Sequence, residues 1–461
     1  MKHFLKFCVL LLLAVASPAQ TYTTLASCVY ATGSDPIGGL VQGFDGNLYG
    51  TAFQGGNVDS GTVYKVTLDG TFTVVYYFST PGPNRPLATL VQGTDGKLYG
   101  TTYQGIGTGC GGYGCGTVFS VAPGGVFNVL HNLSDAEGEV PLSLVQAARG
   151  DLYGVARQGG TSSSCQFGCG TIFKITPSGA LTIVHNFDQA DGDSPIGALV
   201  QGFNGELLGV TNYGGAGSNF GTIFQLGAGG ALQTLNSFGS ARQSYPAAGL
   251  VQASDGHYYG TTEGCGAGSC GTVFKITPGG TLTTIYAFQS SNGANPNSAL
   301  VEATDGNLYG TTLNGGASGC WFNGCGTIFK ITPSGVLTTL YSFNTAVYPT
   351  QMIQATDGNL YGVTSGGGTD NLGSIFRLSI GLGPFVKTVP VAGGVGATVH
   401  ILGTNLTTPV SVTFNGVPAA VIAASPSQII ATVPAGATTG KVAVTTATGT
   451  LLSNTVFQVR E

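Results

Sequence analysis

Charge is what this sequence has least of. Asp, Glu, Lys and Arg together make up 8% of its 461 residues, against roughly 25% in an ordinary soluble domain. The fifteen Lys and Arg are scattered without a basic run, which excludes the electrostatic footprint of a nucleic-acid binder or a polybasic membrane-surface segment. Long apolar runs are missing too. Beyond a short stretch at the N-terminus nothing approaches the ~18 continuous apolar residues of a spanning helix, so no membrane insertion is expected. Tryptophan occurs once, and the histidines past the N-terminal region are His131, His185, His257 and His400. No Ser-His-Asp order, His-Glu-x-x-His or phosphate loop is present, and the acids sit mostly in Asp-Gly turns or, like Asp188, Asp191 and Asp193, in single loops, without the facing pair a glycosidase needs.

What is abundant is glycine, 78 of 461 residues, where about 7% is usual. With 42% apolar residues and a net charge of −5, the chain is too hydrophobic and too weakly charged for disorder. Residues 1–19 carry Lys2 and Lys6, an apolar run from Phe7 to Ala16, and small Ser17 and Ala19, the pattern of a secretory signal peptide. A secreted or cell-surface location is expected. Leu25-Ala26-Ser27-Cys28 has the letters of a lipobox, but polar Tyr22 to Thr24 separate it from the apolar run, and the repeats account for it better.

One pattern recurs from Leu40, Leu90, Leu144, Leu199, Leu250, Leu300 and Met352. Each copy reads Leu-Val-Gln-x-x-Asp-Gly-x-Leu-Tyr-Gly-Thr, a Gly-rich loop, Gly-Thr-[Val/Ile]-Phe-Lys-[Ile/Val]-Thr-Pro-x-Gly, then an alternating segment such as Thr-Leu-Thr-Thr-Leu-Tyr-Ser-Phe. Period-two alternation bounded by turn residues predicts four short strands per copy, and the Asp-Gly pairs predict type I′ hairpin turns. Seven four-stranded units of this size predict propeller blades. The fourth strand is missing after the seventh copy, and Thr21 to Cys28 reads like it. The expected fold class is therefore all-β: a seven-bladed β-propeller over 20–381, closed by the N-terminal strand so that no open seam remains. From about Gly383 short Val- and Thr-rich runs follow (Gly403 to Leu406, Val412 to Gly416, Ile429 to Pro434, Gly440 to Thr446), predicting an Ig-like β-sandwich over 382–461.

The repeat resembles the GloVer-type tandem repeat of secreted bacterial proteins, most closely in copies five and six, and the C-terminal segment resembles an IPT/TIG domain. The first resemblance implies exported bacterial proteins with no established activity; the second implies a spacer or an accessory binding module.

Three sets of residues vary or stand out against the repeat. The third position after each Leu-Tyr-Gly glycine holds Phe53, Tyr103, Arg157, Asn212, Glu263, Leu313 and Ser365, predicted to line one mouth of the ring as a ligand site or else to be solvated loop residues. The position after each Leu-Val holds Gln42, Gln92, Gln146, Gln201, Gln252, Glu302 and Gln354, predicted to ring the channel, with Glu302 available to a cation or with the amides simply satisfying one another. The Cys loops carry Tyr113, Phe167 and Trp321, rigid aromatics suited to stacking on a sugar or to covering a blade edge. Cys110 with Cys115, Cys165 with Cys169, Cys265 with Cys270 and Cys320 with Cys325 are expected as loop disulfides. Cys28 is expected as a buried thiol. Neither zinc nor calcium ligand spacing is found, so no metal and no cofactor is expected. The sequence reads as a monomeric, non-enzymatic binding or scaffold protein whose partner is an extracellular glycan or protein. Two alternatives are a lyase or hydrolase acting on extracellular polysaccharide through Arg157, His257 and Glu263, and a structural envelope component.

Overall fold

A computed structural model describes residues 20–106, 109–217, 219–227, 229–239, 244–266, 269–316, 324–345 and 347–460. The predicted signal peptide, Cys320 and Trp321 lie outside them. Between Thr21 and Ser379 the strands form seven antiparallel sheets, six of four strands and one of five. The sixth shows the order that sequence alternation predicts: Val301–Glu302, Leu308–Thr312, Thr327–Ile331 and Leu337–Ser342 lie side by side in chain order. No helix among the described residues is long and apolar enough to cross a membrane.

The Asp-Gly turns differ from expectation. The Gly46 amide donates to the Gly43 carbonyl and the Gly43 amide to the Asn47 carbonyl, and of the pair Asp45-Gly46 only the glycine has positive φ, at 82°. This is the longer hairpin connection, a type I turn followed by a left-handed glycine, rather than a type I′ turn. The extra residue frees the aspartate. Asp45 accepts from the Asn47 amide and from the Tyr49 hydroxyl at 2.8 Å, and Asp95, Asp255, Asp305 and Asp357 hold Tyr99, Tyr259, Tyr309 and Tyr361 in the same way. Each bond satisfies the polar end of a ring buried in the core, where an unpartnered hydroxyl would be costly.

Neighbouring sheets share their cores. Tyr49, Val63 and Phe78 of the first pack with Leu90, Leu98 and Phe119 of the second, and Leu40 and Tyr64 of the first pack with Tyr361, Val363 and Ile375 of the last sheet and with Cys28. Each such aromatic or branched side chain contributes about 1.5–3 kcal/mol by burial.

The N-terminal strand Thr21–Ser27 pairs antiparallel with Ser374–Ser379 and completes the last sheet. It carries a bulge between Thr24 and Ala26, matching the bulges between Val74 and Tyr76 and between Thr339 and Tyr341 in other fourth strands. The bulged residue turns its carbonyl onto a turn glycine of the next sheet. A Cβ on Gly125 would lie 2.8 Å from the Val75 oxygen, and one on Gly70, at φ +100°, 2.7 Å from the Leu25 oxygen. Tyr22 stacks on Tyr341 with ring centroids 4.2 Å apart.

The described residues of the C-terminal region form two four-stranded sheets, with Lys387–Val389 and Thr398–Leu402 in one and Ser411–Phe414 and Val442–Thr446 in the other, and a two-stranded parallel pair of Ala392–Gly394 with Gln458–Arg460. Val399, Ile401, Phe414, Ile429, Val444 and Phe457 fill the space between them. This domain rests on the Asp-Gly end of the repeat sheets. Ser427 donates to the Phe44 carbonyl at 2.8 Å, the Phe385 amide donates to Thr356 at 3.0 Å, and His400 stacks on Phe44 with centroids 4.5 Å apart.

Candidate functional site

The glutamines after each Leu-Val sit at the covered end and are spent on structure. The amides of Phe44, Thr94, Ala148, Phe203, Ser254, Thr304 and Thr356 donate to Gln92, Gln146, Gln201, Gln252, Glu302, Gln354 and Gln42 respectively, at 2.9–3.4 Å. Each donor stands two residues after the glutamine or glutamate of its own sheet, so the bonds step from sheet to sheet and return to the start. The side-chain amides of Gln42, Gln146, Gln201, Gln252 and Gln354 donate in turn to turn carbonyls of their own sheets. The ring of amides therefore bonds to backbone and not to itself. Glu302 binds the Ser254 amide with both oxygens and the Ser254 hydroxyl at 2.6 Å, and lies close enough to Lys441 to favour its charge.

The opposite end is where the repeat varies. Asp35, Arg85, Val140, Ser194, Tyr245, Asn295 and Tyr348 each precede a proline and each has φ between 48° and 58°. Non-glycine residues rarely adopt this conformation, least of all a β-branched one such as Val140. Neighbouring bonds hold it: the Tyr245 amide donates to Phe220, and its carbonyl accepts from Glu263. The residues of the variable set are thus bonded to a second variable ring that sequence reading missed. The available signal was the residue before each recurring proline, which is Asp, Arg, Val, Ser, Tyr, Asn and Tyr in the seven copies.

The seven predicted mouth residues do not act alike. Leu313 and Ser365 line a cavity of about 530 Å³ between the inner strands. Phe53 meets Tyr103 edge to face at 6.3 Å and lies under the Arg85 guanidinium at 5.6 Å. Asn212 is buried, donating to the Pro246 carbonyl at 2.9 Å. Burial pushes the Glu263 and Asp193 carboxyls up, and the Arg157 guanidinium near both opposes the shift. Arg157 and Glu263 therefore lie within electrostatic reach of each other. His257 does not: it adjoins the start of strand Tyr258–Gly266, paired with Asp255 at 3.1 Å, while Glu263 lies six residues further along, ~20 Å at the usual strand rise. The trio nominated for catalysis is separated by the length of a sheet.

The cavity holds two polar atoms without partners among the described residues, Ser143 Oγ and Asn297 Oδ1, both buried. Thr89 lies beside them, accepting from the Gly39 amide and donating to Gln351. Val91, Leu250 and Val251 line both this cavity and a second one toward the Ig-like domain.

Disulfides join Cys110 to Cys115 and Cys165 to Cys169, and Cys325 is disulfide-bonded. Cys265 and Cys270 face each other across a hairpin, the Cys265 side chain lying outside the described residues. Tyr113 and Phe167 in the bonded loops are exposed. Cys28 is buried as expected, and burial first and Asp35 second push its thiol up to about 12. His131 and His185 bind the loop acids Glu137 and Asp191 at 3.1 and 2.8 Å, so they tie strands to loops.

Sheets repeated around shared cores, with an Ig-like sandwich at one end, define an all-β, propeller-like repeat protein. The chain belongs to the Gloeobacter/Verrucomicrobia repeat family, whose model matches residues 13–224 and 204–416, and residues 385–459 match the IPT/TIG domain. No curated protein matches the sequence. Among solved structures, virginiamycin B lyase from Staphylococcus aureus is similar at 14% identity, over 78% of this chain and 98% of that one, with a TM-score of 0.53. A fungal alcohol oxidase of the AA5 family, in complex with copper, is similar at 13% identity over 94% and 98%, with a TM-score of 0.53. At these identities the likeness is one of fold.

Proposed function

We propose that this chain is a secreted, non-enzymatic binding protein, a seven-bladed propeller ring closed by Thr21–Ser27 that takes a neutral saccharide at its uncovered mouth. The observation that carries the ligand site is the pair of unpartnered buried atoms, Ser143 Oγ and Asn297 Oδ1, inside a cavity of about 530 Å³. Buried polar groups are normally bonded, and a ligand rich in hydroxyls supplies both a donor and an acceptor. Phe53 and Tyr103, in contact with each other at the same end of the repeat strands as Leu313 and Ser365, add aromatic surface there. Support for ring closure comes from the returning series of glutamine bonds and from the N-terminal strand packing on Gly70 as other fourth strands pack on their neighbours. Export is supported by the leader-like N-terminus and the loop disulfides. Binding is preferred to polysaccharide cleavage because Arg157 stands beside Glu263 while His257 lies at the other end of the strand.

The test is a glycan array probed with the chain from Gln20 to Glu461. Specific binding is expected, weakened at least tenfold by Ser143→Val or Asn297→Leu. Binding indifferent to both substitutions would remove the site, and turnover of any bound glycan would overturn the non-enzymatic reading.

A further inference from the structure

A second cavity lies between the glutamine end of the repeat sheets and the Ig-like domain, and neither the mouth nor the domain contacts account for it. Its volume is about 360 Å³, within the range of small-molecule sites, and its walls are chiefly Val91, Val145, Val200, Val251, Val389 and Val391. One polar group inside is unsatisfied. Thr388 is 4% exposed, and its Oγ1 has no hydrogen-bond partner among the described residues. The repeat glutamines at the edge, Gln92, Gln146, Gln201 and Gln252, are committed to turn and neighbour backbone. Arg460 also lines the chamber, but on the side it shares with a surface groove containing Asp151 and Glu206.

We propose that this chamber binds a small neutral molecule with an apolar body and a single hydrogen-bonding oxygen, an alcohol or ketone, seated on Thr388. Walls of this kind favour guests that bury apolar surface against them. A lone buried hydroxyl costs about 1–3 kcal/mol until it is bonded, so a guest carrying one oxygen is favoured over a pure hydrocarbon. A charged guest would give up its hydration against valines, with no buried counter-charge to replace it. The route in is the channel, since Val91, Leu250 and Val251 border both cavities. The site thus joins one fixed wall, the inner strands, to one supplied by a separate domain. It does not depend on what the mouth binds.

The experiment uses the chain from Gln20 to Glu461 with cyclohexanol, methylcyclohexane and cyclohexanecarboxylate as probes, followed by saturation-transfer NMR and calorimetry. Cyclohexanol is expected to bind one to one, roughly three- to tenfold more tightly than methylcyclohexane, the value of one hydrogen bond. Thr388→Val should reduce the affinity for cyclohexanol below that for the hydrocarbon, because the alcohol's hydroxyl would then be buried without a partner. Val391→Trp, at a position 44% exposed and therefore tolerant of a larger side chain, should fill the chamber and abolish binding of both, with the unfolding temperature unchanged. Absence of saturable cyclohexanol binding, or binding untouched by Val391→Trp, would overturn the site. Tighter binding of the carboxylate would overturn the neutral class of ligand.

Discussion

Lys387 stands where the chain leaves the repeats, with its Nζ donating to the Gln354 carbonyl. Burial lowers its amine from 10.5 to about 8, Asp357 opposing the shift. The unfolded chain therefore holds more protons than the folded one between pH 8 and 10.5, and stability rises with pH across that window. The retained charge costs on the order of 3 kcal/mol at neutral pH, less what its bond to Gln354 returns. Lys387→Met is expected to raise the calorimetric unfolding temperature at pH 7 by a few degrees and to abolish the gain the natural protein shows between pH 8 and 10. A variant less stable at both pH values would show that the hydrogen bond outweighs the desolvation. The left-handed residues before the prolines are a residue-scale feature of another kind: seven strained corners, each held by bonds on both its amide and its carbonyl or by the proline packed behind it, place changing side chains on an unchanging backbone.

At the scale of the element, the strand Thr21–Ser27 does more than lengthen a sheet. It covers the edge of Ser374–Ser379, packs Leu25 and Ala26 against the core that holds Tyr64 and Tyr361, and sets the Leu25 carbonyl on Gly70. Removing residues 20–28 would expose an unpaired edge and an apolar seam, an invitation to association. The truncated chain is expected to unfold at least 10 °C lower in a thermal scan and to aggregate by light scattering. A truncated chain that stayed monomeric with its unfolding temperature intact would overturn the proposed closure.

At the scale of the whole molecule, the Ig-like domain rests on the Asp-Gly end of the repeat sheets and leaves the opposite end uncovered. His400 contributes to that contact by stacking on Phe44, and burial holds its imidazole below the ordinary 6.5. A histidine whose proton affinity falls on docking favours the docked state above pH 6.5, and that preference is lost as the pH drops through its lowered value. Small-angle scattering is expected to show a larger radius of gyration at pH 5 than at pH 7.5. His400→Gln, neutral at both, should abolish the difference. An equal radius at the two pH values in the natural protein would mean that the remaining contacts, Ser427 on Phe44 and Phe385 on Thr356, suffice.

What the sequence determined by itself is local and repeated: the approximate place of the strands, the number of copies, the strand missing from the last copy and present at the start, the Ig-like segment, and the pairing of neighbouring cysteines in two loops. Alternation, turn residues and short spacings act within a few residues of the chain, so they can be read from it. The Asp-Gly turn was misread at this same scale, because Asp-Gly suits both hairpin types and the choice depends on bonds made by the residues around it. Tertiary structure decided the rest. Only packing brings Ser143 and Asn297, from different copies, into one cavity and turns the glutamines onto neighbouring backbones. Thr388, in the first strand of the Ig-like domain, lines one cavity with Val91 and Val251 of the repeats, a juxtaposition of residues more than a hundred apart that no local pattern encodes.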